Sequence, residues 1–98
     1  MLKCYRKEVI VTDIYKVLGD ESRRTILNIL KDGSKTVSEI NQYFDVSLSN
    51  TSQQLKMLLE ANLIRKEKRG KYVYYHINTS SLEDVISWLI SINSQGKR

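Results

Sequence analysis

Apolar residues recur at helical spacing through most of this chain and switch to alternation in one short stretch. Val9, Ile10, Ile14, Val17 and Leu18 predict a first helix over Lys7 to Leu18, stopping at Gly19. The β-branched run Val9-Ile10-Val11 leaves its start open between helix and coil. Asp20 predicts the N-cap of a second helix with Ile26, Leu27, Ile29 and Leu30 as its stripe, closed by Asp32-Gly33-Ser34. Thr36 and Glu39 stand at capping-box spacing for a third helix of two turns through Phe44, with Val37, Ile40 and Phe44 facing inward. Asp45-Val46 is the turn. Ser47 caps a fourth helix whose buried stripe is Leu48, Thr51, Leu55, Leu58 and Leu59, and Asn62 closes it in left-handed geometry. Leu63 to Lys68 and Tyr72 to Ile77 read as strands joined at Arg69-Gly70-Lys71. Ser80 and Glu83 predict a further capping box, opening a last helix over Leu82 to Ile92.

The expected order is thus four helices, a hairpin and a helix. The fold class is mainly α with a small β-hairpin, a winged helix-turn-helix forming one domain over residues 1–98. Val85, Ile86, Trp88, Leu89, Ile90 and Ile92 occupy more than one face of the last helix. One stripe serves the chain's own core, and a second copy is the simplest cover for the rest, with Trp88 as core residue or dimer anchor.

Composition adds little except through charge. Charged residues make up 28% of the 98, and the formal net charge is +5, which favours a polyanionic partner. No membrane-length apolar run and no signal peptide are evident, so the expectation is a cytoplasmic protein without a membrane partner. Cys4 is the single cysteine and cannot close an intramolecular disulfide.

The fourth helix carries the candidate chemistry. Opposite its apolar back lie Ser49, Asn50, Ser52, Gln53 and Lys56. Soluble helix surfaces favour Glu, Lys and Arg, so a run of weaker helix formers asks for a reason. Asn and Gln pair with adenine edges and Ser serves as donor or acceptor in the major groove. Lys66, Lys68, Arg69 and Lys71 surround the hairpin with only Glu67 opposing, as a phosphate grip requires. Tyr72 is the tyrosine placed for backbone contact. Arg23 and Arg24 sit at a helix start, where the dipole does not favour them; a solvated face, a phosphate contact and an ion pair within the fold all remain open. Leu48 is expected in the core, with a thymine methyl as the alternative contact. No catalytic constellation stands out, which argues against an enzyme.

Three segments together resemble the ArsR/SmtB-type winged-helix repressors of bacteria: Val17 to Leu30, Ser49 to Leu58, and Arg69 to Tyr75 with its Gly70 and Tyr74-Tyr75. The resemblance implies a homodimer joined through the first and last helices, with Ile10, Ile14, Val85, Trp88, Leu89 and Ile92 at the interface. It implies repression from a partly palindromic double-stranded DNA operator. It also adds Ser47 and Gln54 to the DNA-contacting set. Gln54 stands where the family has His, and Asn62 where it has Gly. The family's soft-metal cysteine positions correspond to Thr36 and Ser38, poor ligands for such ions. Its zinc site on the last helix would need a His beside Glu83 and Asp84, yet the one histidine, His76, falls on a strand. The expectation is therefore a repressor with no metal site and no cofactor. The competing readings are a sensor of metal, redox state or small molecule with an atypical site built from Glu, Asp and His76, and a winged-helix protein-interaction module.

Overall fold

The computed structural model describes residues 13–95. Its elements are α1 (Ile14–Leu18), α2 (Glu21–Leu30), α3 (Val37–Asn41), α4 (Leu48–Glu60), β1 (Ile64–Arg69), β2 (Tyr72–Ile77) and α5 (Thr79–Gln95). Cys4, Ile10 and the Lys7–Thr12 part of the expected first helix lie outside the described residues.

Short polar side chains set the helix starts. Asp13 is extended, and its carboxylate accepts the Tyr15 N–H at 2.9 Å, so α1 opens at Ile14. The Asp20 carboxylate accepts from Ser22 and Arg23. Both halves of the Thr36/Glu39 capping box are made, at 3.2 and 2.9 Å. The Ser47 hydroxyl accepts the Asn50 N–H at 3.1 Å.

Further boundaries depart from expectation, among them the end of α5, which runs to Gln95 and not Ile92. α3 ends at Asn41, short of Phe44, because the next amides tighten: Tyr43 donates to Ile40 and Phe44 to Asn41, three residues back instead of four. β1 is displaced by one residue, to Ile64–Arg69. α5 opens at Thr79, ahead of the expected Ser80 capping box. Buried Asn78 precedes it and donates through Nδ2 to the Asn62 carbonyl at 2.8 Å and to Ser81 Oγ at 3.2 Å. That amide ties the start of α5 to the end of α4. Asn62 takes the left-handed conformation expected of it, with φ 61°.

The core lies where α2, α3 and α4 meet. Ile26, Ile29 and Leu30 pack with Ile40, Leu55 and Leu58, sealed by Val17, Leu63 and Ile64. Leu48 is not part of it. As the first residue of α4 it overhangs the edge of that cluster and is 47% exposed, so the buried stripe starts at Thr51. The strands pair antiparallel from Ile64↔Ile77 to Arg69↔Tyr72, turning through Gly70 (φ 65°) and Lys71. A feature absent from the sequence pattern joins this hairpin to the α2–α3 connector. Lys35 and Tyr75 exchange both backbone hydrogen bonds, at 3.1 and 2.8 Å. α5 rests on the body through Leu82 near its start and a Tyr15–Trp88 ring contact, centroids 5.2 Å apart.

Candidate nucleic-acid interface

The angle between α3 and α4 is held from inside. Thr51 is buried, and its hydroxyl donates to Asn41 Oδ1, closing the turn between the two helices beside Ile40 and Leu55. A second clamp holds α4 from the other side. Arg23 donates through Nε to the Val17 carbonyl at 2.9 Å and through Nη1 to Gln54 Oε1 at 2.9 Å, with Met57 Sδ at 3.2 Å. Arg24 donates to the Leu18 carbonyl at 2.9 Å. These arginines therefore face the carbonyl end of α1, a favourable place for cations. Of the readings left open for Arg23, the solvated face does not hold. Its guanidinium fastens α1, α2 and α4 together.

Ser49, Asn50, Ser52, Gln53 and Lys56 are all exposed on α4. Ser47 is exposed too, with its hydroxyl engaged as N-cap. Gln54 is half-buried and its carbonyl oxygen is committed to Arg23. The first turn of α4 holds no acidic residue, whereas α2 and α3 carry Glu21 and Glu39 there. The positive end of the α4 dipole is thus left without a carboxylate that would repel a phosphate.

The register separates the hairpin cations. Directly paired residues share a face, so Lys66 and Lys68 stand with Tyr75 and Val73, while Arg65, Glu67 and Arg69 stand with His76, Tyr74 and Tyr72. Arg69 is engaged: it pairs with Glu67 at 3.2 Å, lies 4.7 Å over the Tyr74 ring and reaches Ser34 Oγ at 3.5 Å. Lys71 at the tip sits 5.9 Å over the exposed Tyr72 ring. The cluster expected from composition therefore divides into exposed lysines and an arginine already held by the wing.

Of the expected dimer residues, Trp88, Leu89 and Ile92 are each about half exposed. Val85 is half-buried, and Ile14 packs partly against the core. Ile86 and Ile90 on a neighbouring face of α5, and Tyr15 beside Trp88, add further exposed apolar surface. The helical spacing of Ile86 and Ile90 carried that signal. Tyr15 is visible only once α1 is seen beside Trp88. Among the described residues, no three His, Cys, Asp or Glu side chains come together as a metal cluster, and no helix is long and apolar enough to cross a membrane.

A short helix, a turn, a longer helix with an uncharged polar front and a basic hairpin beside it define a winged helix-turn-helix. Residues 20–66 match the family model described as bacterial regulatory protein, arsR family. Transcriptional repressor SdpR of Bacillus subtilis strain 168 is 33% identical over 86 residues, covering 88% of this chain and 96% of that one. The arsenical resistance operon repressor of the same organism is 38% identical over 74 residues, 74% of this chain and 70% of that one. The crystal structure of an ArsR family transcriptional regulator superposes with a TM-score of 0.79 at 28% identity, over 87% of this chain and 93% of the other. A homodimeric winged helix-turn-helix domain from Mycobacterium bovis shares the fold, with a TM-score of 0.71 at 21% identity over 96% of this chain and 84% of that one. The chain belongs to the arsR family of bacterial regulatory proteins.

Proposed function

We propose that this protein is a homodimeric, sequence-specific double-stranded DNA-binding repressor that acts in the cytoplasm by occupying a partly palindromic operator. It is a regulator and not a catalyst. The observation that carries this reading is the α4 face: Ser49, Ser52 and Gln53 are uncharged, exposed and free of a structural duty, at the end of the helix that enters a major groove in this fold class. Asn50 flanks them. Lys56, Lys68, Lys71 and Tyr72 meet the sugar-phosphate backbone. Ser47 and Gln54 support the reading helix, with Gln54 held to Arg23, and Arg69 stiffens the wing. The α5 face at Trp88, Leu89 and Ile92, with Val85 beside it, pairs with a second copy, and α1 contributes at Ile14.

Genomic fragments retained by the purified protein, sequenced and searched for an inverted repeat, test the reading. Half-sites about one helical turn, ~34 Å, apart are expected. Affinity falls in the range of about 10⁻⁸ to 10⁻¹¹ M at physiological salt and drops steeply as salt rises. Retention of every fragment alike, or of none, removes the proposal.

One observation favours a second reading, a repressor released by a small anion. Glu67, Arg69 and His76 of the wing converge with Lys31, Ser34 and Thr79 on an open cleft floored by Leu30, Ile77 and Leu82. A screen of small carboxylates against the protein–operator complex tests it. No release at millimolar concentration leaves the unswitched repressor.

A further inference from the structure

Exposed large apolar residues fall mainly on the α5 face and the wing tip, with a third, smaller group at the turn before α4 and the first residue of α4. In that group, Leu48 has no structural reason to be leucine. It is the first helical residue after the Ser47 cap, a position suited to Pro or an acidic residue. The core cluster does not include it, and the stripe α4 buries begins at Thr51. Its neighbours Ser49 and Ser52 are the exposed polar residues of the same end.

We infer that Leu48 is a specificity-determining residue that recognises the C5 methyl group of a thymine in the major groove. The inference rests on the DNA-binding reading above and deepens it. Residues at the N-terminal end of a helix-turn-helix reading helix are the ones that meet base edges. In the major groove a thymine presents one apolar group, its methyl, and an aliphatic side chain is its complement. The hydroxyls of Ser49 and Ser52 serve donors and acceptors of any base, so they discriminate weakly. Leu48 supplies the discrimination they lack. It rejects cytosine, which presents an amino group and no methyl at the corresponding edge, because the amino group would lose its water against leucine.

The experiment uses the tightest duplex recovered by selection from a randomised pool. Each thymine is replaced in turn by deoxyuridine, which removes the methyl and keeps the Watson–Crick edge. At one position per half-site, the wild-type protein is expected to lose about fourfold in affinity, the burial of one methyl-sized group. Leu48→Ala is expected to bind both duplexes equally, and Leu48→Met to keep the discrimination. Leu48 is about half exposed and lies outside the core cluster, so both changes are expected to move the thermal unfolding midpoint only slightly, which is measured alongside. A wild-type protein indifferent to deoxyuridine at every position overturns the inference, as does Leu48→Ala retaining the full deoxyuridine penalty. In both of those cases tight binding of the selected duplex persists, so the DNA-binding reading survives. A protein that selects no duplex overturns both.

Discussion

Residues of similar composition do different work here because their partners differ. Ser47 and Ser49 are two apart, yet the first spends its hydroxyl on the Asn50 amide while the second faces solvent. Gln53→Ala is therefore expected to reduce the preference for operator over scrambled duplex by about tenfold, and Ser52→Ala by less, both leaving non-specific binding intact, as competition binding would measure. Lys68→Ala and Lys71→Ala should weaken all duplexes about equally and lower the slope of log affinity against log salt by about one each. Uniform loss from both pairs would remove base readout from α4. Arg23 belongs to stability instead. Arg23→Ala removes the partner of Gln54 Oε1 and one of two donors to the Val17 carbonyl and should cost about 1 kcal/mol in denaturant unfolding. Arg23→Lys should rescue little, because one ammonium does not reproduce the planar fork that reaches both acceptors.

Elements were legible where their signals are local. The Thr36/Glu39 box lies within four consecutive residues and is made as expected, so Thr36→Ala should cost about 1 kcal/mol, read by thermal unfolding. Asn62 holds φ 61°, so Asn62→Gly should be tolerated, whereas Asn62→Val should lose about 1–2 kcal/mol. The hairpin was written in alternation and a glycine. What escaped was non-local. The Lys35–Tyr75 pairing involves backbone groups forty residues apart and no particular side chains. The opening of α5 is set by Asn78 reaching back to Asn62, which the nearer Ser80/Glu83 spacing concealed. For the candidate site, the polar face of α4 was plain from periodicity. That Arg23 takes up Gln54 follows from packing of α2 on α4, thirty-one residues apart, which spacing alone does not encode; the Glu67–Arg69 pair, two apart on one strand, was within reach of the alternation.

For the molecule as a whole, the apolar end of α5 decides behaviour. The described residues extend 49 Å along their longest axis, and a helix of seventeen residues supplies about 26 Å of rod. Trp88→Glu, or Leu89→Glu should the ring contact with Tyr15 prove necessary to fold, is expected to yield a monomer in sedimentation. Its melting point should no longer rise with concentration, and operator affinity should fall steeply as the second half-site is lost. An unchanged dimer would place the interface elsewhere. The paired backbone of Lys35 and Tyr75 reaches further than its two bonds imply. It ties the flanking finger to the connector ahead of α3, and the Thr51–Asn41 bond ties α3 in turn to α4, so the two parts are linked in one head through α3. In the dimer proposed above, a signal that loosens the regulator from its promoter would then act by swinging two whole heads nearer or farther, changing the gap they span and leaving untouched the letters each one recognises.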